Sequence, residues 1–348
     1  MKGSTYLYYA LGICAAAVMF VGCASQQTSS GAGGIVPQNV RSVAQATSPL
    51  ALLTRGDGRN AAPPDRGRSW MAPNAKAKQL LYVPDFFSGD VNVYTYPGGT
   101  LVGTLTGFNG PQGACVDGAQ NIWITNEYAA DIVEYAHGGT APIATLTDPG
   151  AMPLDCSVDP TTGNVAVTNW ASTQPPNQGA VAIYAGASGN PVIYADGRLM
   201  YAVYFCSYDD HGNLFVDGTQ YPYYWPAGAF QYAEIPKGSS SFTNITLKPT
   251  QKIAWPEGIH WDGRYVGVGN LLKGEIYQTS GAQIVHTVSL KGSRGAIDFF
   301  PGGNEVIVGL DSAVGKVGVW DYPTGGAAVK MFTLPGRDDP VAGAVISK

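Results

Sequence analysis

Pro111-Gln-Gly-Ala-Cys-Val-Asp117 runs into Asn121-Ile-Trp-Ile-Thr-Asn126 and then Ile132-Val-Glu-Tyr135. Each segment is a short apolar run with polar alternates, bounded by Gly, Pro, Asn or Asp, which is the pattern of β-strands joined by tight turns. The order returns as Asp155-Cys-Ser-Val-Asp159, Asn164-Val-Ala-Val-Thr-Asn169 and Ala180-Val-Ala-Ile-Tyr184. It returns again as Phe205-Cys-Ser-Tyr-Asp209, Asn213-Leu-Phe-Val-Asp217 and Ala229-Phe-Gln-Tyr232. The fourth copy is Gly258-Ile-His-Trp-Asp262, Arg264-Tyr-Val-Gly-Val-Gly-Asn270 and Gly274-Glu-Ile-Tyr277; the fifth is Gly295-Ala-Ile-Asp-Phe299, Glu305-Val-Ile-Val-Gly309 and Lys316-Val-Gly-Val-Trp320. Each unit closes with one more β-rich run, such as Ile143-Ala-Thr-Leu146 or Val329-Lys-Met-Phe-Thr-Leu334.

Four strands per unit, repeated at roughly 37 to 53 residues, is the spacing of propeller blades. Two orphans remain. Leu80 to Asp85, Val91 to Tyr94 and Leu101 to Leu105 match second, third and fourth strands, while Ala342-Gly-Ala-Val-Ile-Ser347 matches a first. Together they predict an all-β, six-bladed propeller whose last blade takes its innermost strand from the C-terminus. Such closure removes the open strand edges that seed aggregation.

The units resemble NHL-type repeats and related six-bladed propellers, over about residues 79 to 348. The resemblance implies the fold and no particular activity, since this architecture carries binding proteins, lyases, lactonases and sensors.

Ahead of the repeats, Met1 and Lys2 precede an apolar stretch to Val21 that ends in Phe20-Val-Gly-Cys23. That stretch reads as an export signal, and its end resembles the bacterial lipobox, with Phe where Leu is usual. The resemblance implies cleavage before Cys23, acylation of its thiol and attachment to a membrane; Ala24 then favours the outer membrane of a Gram-negative-type envelope. Residues 1–22 are thus expected to be a signal peptide. Residues 23–78, rich in Gly, Ser, Gln, Pro and Ala, read as a flexible tether in which Arg68-Ser-Trp-Met71 could dock as an apolar plug. Residues 79–348 are expected to form the propeller, as a monomeric domain.

Charged residues are 13% of the 348, and the formal net charge is −5. No basic stripe advertises nucleic acid. No G-x-S-x-G, H-E-x-x-H or phosphate-cradling loop is present.

Second strands end in Asp85, Asn126, Asn169, Asp217, Asn270 and Asp311. Such residues either bind turn backbone, their commonest task, or form an oxygen ring suited to a hard cation such as calcium. Beside them stand Tyr128 and Trp170, and the long loop from Gly218 to Gly228 carries Tyr221, Tyr223, Tyr224 and Trp225. These aromatics could cover a polysaccharide, a peptide or another envelope protein, or simply pack on neighbouring blades.

Trp255-Pro-Glu-Gly-Ile-His-Trp-Asp262 resembles the E-G-P-x-W segment of the regucalcin and gluconolactonase family, with Ile259 in place of Pro. That resemblance implies that Glu257 is a metal ligand in a lactonase-like enzyme, with Asn126, Asn169 and Asp217 as the nearest substitutes for its partners. The expected function is a non-catalytic binding or scaffold propeller, with a divalent-cation-dependent lactonase-like or lyase-like enzyme and a purely structural component as alternatives. His260 is expected between blades or in the channel. Cys115, Cys156 and Cys206 all fall in innermost strands, and they are expected to be buried small hydrophobes rather than to form a Cys156 to Cys206 bridge, because neighbouring strands diverge around the axis.

Overall fold

A computed structural model describes residues 67–86, 88–173, 177–220, 230–293, 296–309, 316–333 and 343–348. The strands fall into six antiparallel blades. Blade 2 is Pro111–Val116, Ile122–Asn126, Asp131–Tyr135 and Pro142–Thr147; blade 3 is Ala151–Val158, Val165–Ser172, Ala180–Tyr184 and Val192–Tyr194. Blade 4 is Ala202–Tyr208, Leu214–Thr219, Phe230–Ile235 and Thr243–Asn244. Blade 5 is Ile259–Trp261, Val266–Asn270, Glu275–Ser280 and Gln283–Lys291, with Gly326–Ala327 added parallel at its edge. Blade 6 is Asp298–Gly302, Glu305–Gly309, Lys316–Asp321 and Lys330–Thr333.

Blade 1 is assembled from both ends of the domain. Its order is Trp70–Met71, Leu101–Leu105, Asp90–Thr95, Leu80–Asp85 and Val345–Ser347. Leu80, Leu81 and Tyr82 stand opposite Ser347, Ile346 and Val345. The last strand also reaches blade 2: the Ser347 hydroxyl donates to the Gln120 carbonyl at 2.7 Å and lies 2.6 Å from His137 Nδ1. At the outer edge, Trp70 and Met71 pair with Thr104 and Gly103, so the 68 to 71 segment meets the blade as a strand.

The core lies between blades, and strand alternation decides which blade each side chain addresses. In blade 2, Ile122 and Ile124 pack with Leu80, Tyr82 and Val91 of blade 1, while Trp123 packs with Val165, Val167 and Tyr184 of blade 3. In blade 3, Val165 and Val167 face back to blade 2 while Ala166 faces Val203 and Val216 of blade 4. Trp123, 1% exposed, is among the largest buried side chains.

Candidate functional site

Hydrogen-bond register defines one equivalent position on five innermost strands. Cys115, Ser157, Ser207, His260 and Ile346 stand opposite Trp123, Ala166, Phe215, Gly267 and Leu81, the second residues of their blades' second strands. By the alternation above, the first four face the following blade. What they find there takes three forms over the four junctions. Cys115 is disulfide-bonded to Cys156 of blade 3, Ser157 Oγ accepts from the Tyr208 amide at 3.0 Å, Ser207 Oγ accepts from the Trp261 amide at 2.8 Å, and His260 Nε2 lies 2.9 Å from Asp298 Oδ1 of blade 6. A covalent bond, two neutral hydrogen bonds and a titratable pair thus latch successive blades around the axis.

The structure corrects the cysteine expectation. Cys115 and Cys156 are bridged with Cα atoms 5.6 Å apart, and Cys206 is a free, buried thiol. Cys156 and Cys206 do share a register, opposite Val167 and Val216, and for that reason both face the preceding blade and never each other. Cys115 sits one position further along and faces forward, toward Cys156. The strands do not diverge at this junction because Gly113 brings them together: a Cβ there would lie 2.6 Å from the Asp155 Cα and 2.6 Å from the Leu154 carbonyl oxygen.

Among the buried carboxyl groups, Asp155, Asp217, Glu257 and Asp298 form a neighbourhood in which the other three act electrostatically on Asp217. Asp155 Oδ2 accepts from the Cys206 amide at 3.0 Å, Asp217 Oδ1 from the Phe205 amide at 2.9 Å, and Glu257 Oε2 from the Leu272 amide at 2.9 Å. The second oxygens, Asp155 Oδ1, Asp217 Oδ2 and Glu257 Oε1, have no partner among the described residues. Burial pushes Asp155 up to about 8, helped by the charge of Asp298 and opposed by His260. Burial likewise pushes Glu257 up to about 8 against the pull of the Leu272 and Leu271 amides, and raises Asp217 well above the usual carboxylate range. For His260, burial works against protonation, but the charge and hydrogen bond of Asp298 outweigh it and the imidazole is raised.

The latched ends of the innermost strands open into a cavity of about 730 Å³. All five register-equivalent residues line it, together with Tyr96, Tyr208, Trp261 and Phe300, and its rim comes from loops between first and second strands, such as Asp117, Gln120 and Asp210. This is the face opposite the turns that carry the second-strand Asp and Asn residues. Repeat reading does not single it out; the signal is the residue after the shared position, which is Tyr208 in blade 4 and Trp261 in blade 5.

On the other face, the expected residues take individual places. Asn126 Oδ1 accepts from the Asn109 amide at 2.6 Å and its Nδ2 donates to Asp131 at 2.9 Å; Asn169 Nδ2 donates to Asp148 at 2.8 Å. Asp85 accepts from the Ser88 amide at 3.0 Å. Among the described residues, no three His, Cys, Asp or Glu side chains gather closely enough to hold a metal ion. Trp170 is 3% exposed, and its Nε1 donates to Glu127 at 3.1 Å. Tyr128 packs edge-on against Phe86 at a centroid distance of 5.5 Å. Tyr221, Tyr223, Tyr224, Trp225, Asp311 and Cys23 lie outside the described residues.

No protein-family model and no curated sequence matches the chain. The fold is that of a six-bladed propeller. Among solved structures, the chain is similar to one in the crystal structure of a nidogen/laminin complex, with a TM-score of 0.61 at 13% identity, covering 78% of this chain and 98% of that one. At that identity the likeness concerns the fold.

Proposed function

We propose that this chain is an NHL-repeat-like propeller lipoprotein that binds a glycan, a peptide or an envelope protein without catalysing a reaction on it. Cys23 would carry the lipid and hold the domain at the cell envelope, on the outer membrane. The observation that carries the binding reading is the cavity of about 730 Å³ at the channel mouth, a size and an aromatic-polar mixture typical of ligand sites. The solved propeller it is similar to belongs to a protein–protein complex, which fits a recognition role. Trp261→Phe and Phe300→Leu variants, compared with the parent for retention of glycans and envelope extracts, test this directly. Retention unchanged in both would remove the cavity as the binding site. Replacing Cys23 by Ser is expected to abolish lipid labelling and to release the protein from the membrane fraction.

A second reading, a divalent-cation-dependent lactonase-like enzyme, draws on Glu257 Oε1 and Asp217 Oδ2, two buried carboxyl oxygens with no partner among the described residues. Against it, Asn126 commits its only side-chain oxygen to the Asn109 amide. Metal analysis of the purified protein decides it: stoichiometric calcium lost in the Glu257→Gln variant would favour the enzyme.

A further inference from the structure

We propose that the channel-mouth cavity takes an organic ammonium group, whether on a small free amine or at the end of a lysine side chain. The inference rests on reading that cavity as the ligand site and names what it holds. Four aromatic side chains, Tyr96, Tyr208, Trp261 and Phe300, line the cavity with three carboxylates, Asp117, Asp210 and Glu305. Among the described residues, none of these carboxylates is in an ion pair. Asp117 accepts from the backbone amide and the side-chain amide of Asn121, and Glu305 accepts from the Tyr96 hydroxyl. All of those donors are uncharged. The ion pairs among the described residues are His211 with Asp209 and His260 with Asp298, so no arginine or lysine there is spent on the three acids. Among the described residues, Lys348 is the one lysine or arginine on the wall, and the raised imidazole of His260, also on the wall, is taken up by Asp298.

Charge and ring chemistry then select a ligand class. Acceptor-only carboxylates repel anions and attract cations, and ring faces favour a cation that is weakly hydrated and partly apolar. An ammonium on an alkyl chain satisfies both, with its methylenes against Trp261 and Phe300 and its charge toward the acids. A metal ion would have to shed tightly held water to reach the rings, which an alkylammonium does not. A neutral sugar could donate its hydroxyls to the same acids but would gain nothing from their charge, which is why maltose stands beside the ammonium probes in the test.

The test is calorimetric titration of the full-length protein in detergent with choline, with Nα-acetyl-trimethyllysine amide, with the uncharged choline isostere 3,3-dimethylbutanol, and with maltose. At least one ammonium probe is expected to bind about tenfold more tightly than the isostere, a ratio equal to roughly 1.4 kcal/mol. The Asp210→Asn variant is expected to erase most of that ratio. Asp210 is exposed, so its replacement leaves the core untouched. Glu305→Gln serves as a second carboxylate variant, and raised salt should weaken the ammonium probes alone. Preference for the lysine derivative over choline assigns the group to a peptide, and the reverse assigns it to a free amine. If maltose binds and the ammonium probes do not, the ligand class is overturned while the cavity stands. If the isostere matches choline, charge plays no part and the proposal falls. If no probe binds, it falls as well, and retention by the Trp261 and Phe300 variants judges the cavity separately.

Discussion

The junction between blades 2 and 3 and the junction between blades 5 and 6 are built at the same register position and closed by opposite chemistry. At the first, Cys115 and Cys156 form a covalent bond across a sequence separation of 41. At the second, His260 and Asp298 meet at 2.9 Å with side chains 13% and 7% exposed. Each junction has a glycine where a Cβ would strike the neighbouring blade: Gly113 against the Asp155 backbone, and Gly258, at φ +89, with a Cβ that would lie 2.4 Å from Asp298 Oδ1. The backbone demand is therefore shared and the latch is not. A disulfide holds at any pH and fails on reduction; a buried histidine–carboxylate pair resists reductants and answers to protons.

The largest effect is expected where the ring closes without either of these latches, by strand pairing inside blade 1. The C-terminal strand closes blade 1 through three register pairs and the Ser347 contacts, so removing residues 341–348 should leave no cooperative melting transition. A truncated protein that melts like the parent would show that closure is dispensable. Next, Cys156→Ser should cost roughly 4 kcal/mol, the chain-entropy value for a loop of this length, seen as a lower midpoint in urea. Reductant should produce the same shift in the parent and none in the variant. Gly113→Ala should cost roughly 1–3 kcal/mol by forcing the strands of blades 2 and 3 apart. It should also make Cys115 and Cys156 titratable alongside Cys206 in denaturant without reductant. A fully formed bridge in that variant would mean the backbone can yield.

Asp298→Asn tests the other latch. It should cost roughly 1–3 kcal/mol, and the His260 imidazole should titrate at lower pH by NMR, because the charge that outweighs its burial is gone. An unmoved imidazole would show that Asp298 does not set its protonation. The smallest effect is the pH dependence around the channel. Burial holds the Asp155 carboxyl above its ordinary range in the folded protein, so it keeps its proton to higher pH there than in the unfolded chain, which releases it at about pH 4. The folded state therefore holds more protons across that window, and its stability falls as pH rises through it. His260 adds to the same trend: its stabilising contribution is complete below roughly pH 6.5 and is lost as pH rises through its raised folded value. The melting temperature of the parent, relative to Asp155→Asn, should thus be higher at pH 5 than at pH 8.5. A constant difference would place Asp155 outside the proton linkage.

The same two junctions mark how far the sequence can be read. The strands of blades 2 to 6 are visible because each needs only its own alternating residues and turn glycines. The orphan strand Val345–Ser347 is visible because a sixth blade lacks it. The bridge is within reach of the repeat register but is missed: divergence of the innermost strands around the axis argues against any bridge, and that argument fails where Gly113 lets blades 2 and 3 approach and Cys115, one position beyond the register of Cys156, faces it. Trp170 looks like a surface ring beside a turn, yet it is buried and bonded to Glu127 from the preceding blade. His260 looks like a strand residue and is one, but its partner Asp298 comes from the next repeat and no local spacing announces it.

The residues alone determine the repeat, the blade count and the register, because strand alternation and turn chemistry act over four or five neighbours. The latches, the buried acids and the acid-and-aromatic cavity come only from the closed ring. They depend on which side chains of one repeat meet those of the next, and that is set when six twisted sheets close around a common axis.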